Sequence, residues 1–228
     1  MNWFQPVDLY CERIDTRFWA EPVNALSNGA FLLAALWALI ELRKRPSVDA
    51  LAVGLIALAA AIGGGSLLFH TFATRWAELT DVIPVWTFVA VYVVASILRL
   101  IRPKPPSSLA GGTLTCATLL PAVWFLSTAN PSVPEHAVGP LNGSLQYAPA
   151  ILGLAGFALL LARRQNPATA WAVAATTTFV LALVFRTVDR DVCAALPIGT
   201  HFLWHLLMGG TVALLLQALL RIAPQTEG

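Results

Sequence analysis

Residues 50–72 read ALAVGLIALAAAIGGGSLLFHTF, and this stretch decides the architecture. A helix crossing the hydrocarbon core of a bilayer needs roughly 20 apolar residues, and the run supplies them. Working outward, six further stretches qualify: 23–42, 79–101, 109–129, 144–162, 168–186 and 200–222. The breaks between them are short and carry charge or turn signals, as at Arg43-Lys44-Arg45-Pro46, Arg102-Pro103-Lys104-Pro105-Pro106 and Arg163-Arg164-Gln165-Asn166-Pro167. Pro84, Pro121 and Pro149 fall inside spans, where neighbouring helices can satisfy the freed carbonyls. Gly63-Gly64-Gly65 lets another backbone approach the second span closely. The expected fold is all-α: a polytopic membrane protein, a seven-transmembrane helix bundle. Residues 1–22 form an N-terminal extracytoplasmic segment, 23–222 the membrane domain and 223–228 a cytoplasmic tail.

Composition agrees. Of 228 residues, 57% are hydrophobic and 11% charged, against about 25% charged in a soluble domain. The net charge of +2 shows no basic excess of the kind nucleic acid demands. A charged stretch (Asp8, Glu12, Arg13, Asp15, Arg17, Glu21) precedes the apolar pattern, unlike a signal peptide, so the first helix serves as its own insertion signal. With seven spans, Arg43, Lys44, Arg45, Arg99, Arg102, Lys104, Arg163, Arg164 and Arg221 share one side, nine of the fourteen basic residues. The positive-inside rule then places the N-terminus outside and the C-terminus in the cytoplasm. Of the acidic residues, only Glu41, Asp49 and Glu227 fall inside, an asymmetry that points to a site at the outer face. The excess of Arg over Lys suggests a bacterial inner membrane.

Four histidines are present: His70, His136, His201 and His205. His201 and His205 lie four apart at the start of the last span, so one helical face presents both imidazoles, a spacing that suits two zinc ligands. Ionisable groups within spans are costly and usually functional. His70 ends the outward-running second span, which brings it to the same depth. His136 stands apart and has no role. Ser66 lies one turn below His70, and Asp81 opens the third span, where a carboxylate needs an offsetting cation or proton. Three neutral imidazoles with an open position and a nearby carboxylate make a catalytic zinc site. The plainer alternative has interfacial histidines, a capping Asp81 and a packing Ser66.

The combination Ser66-Leu67-Leu68-Phe69-His70, Asp81 and His201-Phe202-Leu203-Trp204-His205 resembles the alkaline ceramidases, whose wider superfamily includes the progestin/adiponectin-type receptors. Cys11-Glu12 and Glu21-Pro22-Val23-Asn24-Ala25-Leu26-Ser27-Asn28 extend the likeness into the N-terminal segment, so it covers nearly the whole chain. The resemblance implies zinc on His70, His201 and His205, with Asp81 as general acid and base and Ser66 assisting. It implies hydrolysis of a lipid amide such as ceramide to sphingosine and fatty acid. The alternatives are a hydrolase of another acyl lipid, an ester, and a receptor-like lipid sensor with a structural zinc. No nucleic-acid or obligate protein partner is expected.

The resemblance also implies calcium on an acidic cluster before the first span. Glu12 and Glu21 match it, and Asp8 and Asp15 supply further oxygens, although calcium takes six to eight. The competing reading is a solvated charged face anchored by Trp3, Phe4, Phe18 and Trp19, with Arg13 and Arg17 as internal partners. Cys11 and Cys193 both fall in the oxidising compartment. The family shows a comparable pair, which would pin the N-terminal segment to the loop before the last span. Cys116 is expected to be a buried filler, and Arg186, Asp189, Arg190 and Asp191 an ion-pair network in that loop, with a contact to a substrate headgroup as the alternative.

Overall fold

The computed structural model describes residues 2–46, 49–101 and 141–222. Their helices are α1 (Pro22–Ser27), α2 (Gly29–Arg43), α3 (Ala50–Phe72), α4 (Arg75–Ile101), α5 (Ala148–Arg163), α6 (Thr169–Val188) and α7 (His201–Arg221), with short 3-10 turns at Ser144–Tyr147 and Arg190–Val192. Six helical stretches among the described residues are long and apolar enough to cross a membrane, the first formed by α1 and α2 together. The expected span 109–129, with Pro121 and Cys116, and His136 lie outside the described residues.

Two expected spans differ in detail. Residues 23–42 do not form one unbroken helix. The Asn24 carbonyl, which a continuing helix would give to the Asn28 amide, accepts instead from Ser27 Oγ at 2.8 Å and Asn28 Nδ2 at 2.9 Å. Short polar side chains compete with the helix ladder in this way, and the break falls between α1 and α2. Pro149 does not interrupt a helix either; it sits in the first turn of α5, where its missing N–H costs nothing. Pro84 does lie inside α4.

Close backbone approach organises the bundle. Thr80 Oγ1 donates to the Gly65 carbonyl at 3.1 Å, and a Cβ on Gly65 would collide with the Thr80 carbonyl, so α3 and α4 meet through a glycine. Gly63 likewise faces the Asn28 carbonyl and Phe31, whereas Gly64 faces open space. α7 packs against α2 and α6 and is the most enclosed of the candidate spans. At the far end of the bundle Arg99 pairs with Asp49 and donates to the Leu219 carbonyl at 2.6 Å, and Arg45 donates to the Leu220 carbonyl.

At the other end the N-terminal segment closes over the helices. Val7 N–H donates to the Ala73 carbonyl at 2.8 Å and Trp76 N–H to the Trp3 carbonyl at 3.1 Å. A disulfide joins Cys11 to Cys193. Phe4, Phe18 and Trp19 remain exposed around this roof, and Trp3 is partly so.

Candidate metal centre

Beneath the roof, three elements deliver one histidine-lined point. α3 ends at its C-terminal turn with His70, and α7 opens with His201 and His205. The three rings are buried, and their ligand nitrogens lie within 4.8 Å of one another. His70 Nε2 approaches His205 Nε2 to 3.2 Å. Two nitrogens on a tetrahedral zinc, each about 2.05 Å from it, stand about 3.3 Å apart.

The outward nitrogens fix the tautomers. His70 Nδ1 donates to Glu21 Oε2 at 2.6 Å. His205 Nδ1 faces the Asn24 carbonyl at 3.1 Å and Ser27 Oγ at 2.8 Å. The helix break thus serves the site: the carbonyl freed at Asn24 orients His205. With each Nδ1 donating outward, the two Nε2 lone pairs point at each other, an arrangement that a shared cation relieves. Histidines that bind metals characteristically spend their second nitrogen this way. His201 Nδ1 is buried with no hydrogen-bond partner, and the His201 ring stacks on Tyr10, centroids 3.6 Å apart. Paired imidazoles at ligand spacing and an orphaned buried nitrogen fit a metal ion.

Glu21 is built into this centre. Its second oxygen accepts from Arg13 Nε at 2.5 Å, and Asn24 Nδ2 donates to the first at 3.1 Å. Burial pushes the Glu21 carboxyl up, but the His70 hydrogen bond and the Arg13 charge prevail and hold it below the usual range. The Arg13 guanidinium, itself buried, also donates to the carbonyls of Asp15 and His70, each at 3.1 Å. Glu12 accepts from the amides of Val23 at 2.7 Å and Asn24 at 2.8 Å, placing its carboxylate at the start of α1; its burial pushes its pKa up against those amides. Asp15 bonds Arg17 on the exposed side, and Asp8 is exposed. The four carboxylates are not gathered into a metal-sized group among the described residues.

Asp189 does not join the expected ion-pair network. It is fully buried and accepts from the amides of Thr200 at 2.7 Å and His201 at 2.9 Å. That caps α7 and fixes the entry angle of both its histidines. Gly199 makes the turn with φ +62°, and a Cβ there would strike the Asp189 carboxylate. Arg190 and Asp191 are exposed.

Ser66 and Asp81 share a wall with His201 and His205 in a cavity of about 980 Å³. Ser66 lies close to the Asp81 carboxylate. The cavity follows one face of α4 through Val85, Phe88, Tyr92, Ser96 and Leu100. From Asp81 to Leu100 the helix rises about 28 Å at 1.5 Å per residue. The lining is largely apolar beyond its histidine end. Sequence reading assigned Tyr10 no role, offered Asn24 and Ser27 only as part of the N-terminal likeness, and read Asp189 only as a member of an ion-pair network.

These features define a multi-pass helical membrane protein with a buried metal-competent centre at one end of a long apolar chamber. The chain belongs to the ceramidase family: the family model described as Ceramidase matches residues 8–227, nearly its whole length. The family implies a hydrolase acting on an amide, with a lipid amide as substrate. No curated protein matches the sequence.

Proposed function

We propose that this protein is a zinc-dependent intramembrane amidohydrolase that cleaves a ceramide-like lipid amide to a long-chain amine and a fatty acid. The observation that carries the reading is the 3.2 Å approach of His70 Nε2 to His205 Nε2, in a cavity shared with Asp81 and Ser66. An all-imidazole donor set suits zinc. When bound by His70, His201 and His205, zinc would supply a Lewis acid for the carbonyl and lower the pKa of water.

The chain's own residues complete the chemistry. Asp81 accepts the proton of the attacking water and returns it to the leaving nitrogen as the C–N bond breaks. Ser66 donates to the oxygen on which negative charge develops. The apolar stripe of α4 houses the acyl chain, and the Cys11–Cys193 roof excludes bulk water. Basic residues concentrate at the opposite end of the bundle, which supports an extracytoplasmic site, and the Arg-rich composition supports a bacterial inner membrane. In place of calcium, this reading gives Glu12 to α1 and Glu21 to His70, with Arg13 as the cation of the N-terminal segment.

The test is turnover by purified protein of a panel of lipid amides and matched esters, read as free fatty acid, alongside metal analysis. About one zinc per chain, amide hydrolysis lost to a chelator and restored by zinc, and loss of zinc in His205→Ala are expected. Zinc and bound lipid without turnover would make the protein a sensor. Preference for the esters would replace the amide.

A further inference from the structure

The phenol of Tyr10 stands at the histidine end of the chamber with a hydrogen-bond donor to spare. Its ring stacks on His201, centroids 3.6 Å and planes 16° apart, and its centroid lies 5.2 Å from that of His70. The next residue anchors it: Cys11 is bonded to Cys193, and its N–H donates to Asp189 Oδ2 at 3.3 Å. Arg186, in the last turn of α6, donates from Nη1 to the Tyr10 hydroxyl at 3.5 Å. Tyr10 and Arg186 both line the cavity, with Asp81 and the α7 histidines.

Arginine donates and cannot accept, so in that contact the phenol oxygen accepts and its own proton points elsewhere. The Tyr10 hydroxyl has no other hydrogen-bond partner among the described residues. The Nε of Arg186 is likewise buried without one. Asp81 supplies Arg186 with an opposite charge in the same chamber, and the rings of Tyr147 and Trp204 lie under the guanidinium, so the cation does not call for an anionic headgroup. Spare donors beside a balanced pair of charges call for an uncharged oxygen with free lone pairs, because an enclosed donor left unmade is costly.

Resting on the hydrolase reading, we infer that Tyr10 is a specificity-determining residue whose phenol O–H donates to a hydroxyl on the amine side of the lipid amide. Position selects the amine side. The apolar channel runs along α4 from Asp81 towards Leu100 and takes the acyl chain, whereas the Tyr10 ring lies against the histidines beneath the N-terminal roof. With the scissile carbonyl at the metal centre and the acyl chain leading away, the group on the nitrogen is the part that meets Tyr10. The substrate class is then an N-acyl amino alcohol, with a neutral hydroxyl a few bonds from the scissile nitrogen. The same phenol could instead serve the reacting oxygen or simply prop His201, and the test separates these roles.

The experiment uses the full-length protein in nonionic detergent with N-palmitoyl ethanolamine against N-palmitoyl propylamine, amides of one acyl chain that differ by a hydroxyl in place of a methyl. Binding is read directly by fluorescence of the tryptophans, Trp204 among them, and turnover by kcat/KM. One hydrogen bond to the hydroxyl predicts that the parent prefers the ethanolamide by about tenfold. Tyr10→Phe keeps a ring on His201 and removes only the donor; it should bring that ratio close to one with zinc content retained. An unaltered ratio in Tyr10→Phe overturns the assignment even if both activities fall together, since the phenol would then serve the reacting oxygen or the His201 ring. Equal binding of the two amides by the parent does so as well, whether or not the variant folds. Absence of turnover on every amide would count against the hydrolase reading alone, because the binding ratio and its response to Tyr10→Phe are measured independently.

Discussion

Glu21→Gln isolates the link between the N-terminal segment and the metal centre. Glu21 accepts from His70 Nδ1 at 2.6 Å and from Arg13 Nε at 2.5 Å. Glutamine preserves the volume and one acceptor but removes the charge that polarises the imidazole and balances the buried guanidinium. Loss of a carboxylate behind a ligating histidine typically weakens metal binding by about 10- to 100-fold, which is about 1.4–2.7 kcal/mol. A hydrogen bond to a charged group, worth about 1.5–3 kcal/mol, leads to the same order independently. The assay is competition for zinc against a chelator of known affinity, on parent, Glu21→Gln and Glu12→Gln. Glu12 touches only the amides of Val23 and Asn24, so its variant should shift zinc affinity far less. A folded Glu21→Gln protein with parental zinc affinity would show that the carboxylate does not act through His70.

Asp81→Asn removes the proton acceptor at nearly constant shape, so hydrolysis should fall about 10² to 10⁴-fold with zinc content retained; near-parental turnover would remove Asp81 from the mechanism. Peptide mapping without reduction should recover Cys11 linked to Cys193. Replacing both by serine should lower the unfolding temperature, because the bond closes a loop of separation 182, worth at most on the order of 5 kcal/mol in a chain-entropy account; an unchanged temperature would mean the roof is held by its other contacts. Gly65→Ala forces α3 away from the Thr80 carbonyl and should destabilise the bundle by about 1–3 kcal/mol, and a thermal-unfolding curve superimposable on the parent's would contradict that packing.

Much of the membrane architecture was legible because lipid leaves the backbone little choice. Each crossing must satisfy its own hydrogen bonds, so spans appear as continuous apolar runs. The metal-competent set was legible for a related reason: His70, His201 and His205 are conspicuous in segments where ionisable groups are expensive. What escaped the sequence depends on contacts between distant residues. Glu21 and His70 are 49 positions apart, and nothing in the local pattern around Glu21 distinguishes an imidazole partner from calcium. Asp189 lies among Arg186, Arg190 and Asp191, a composition that reads as surface ion pairs, yet its carboxylate caps a helix beginning twelve residues later. The break after Ser27 was hidden because its cause is a carbonyl diverted to side chains and to His205, while the hydropathy runs on unbroken into α2.

Charge balance ties these pieces to the chemistry. Arg13 and Glu21 neutralise each other under the roof, and Asp189 is answered by the amides of α7. Three buried imidazoles then meet at the centre, and histidines bind a metal as neutral rings. Among the residues that line the chamber beside them, Asp81 and Arg186 carry opposite charge without forming an ion pair. The guanidinium lies over Tyr147 and Trp204 instead, and the carboxylate stays available to the water proton. A bound divalent metal would leave the chamber with net positive charge. That sign favours the negative charge that develops on the amide oxygen during attack, so the placing of Arg186 bears on rate.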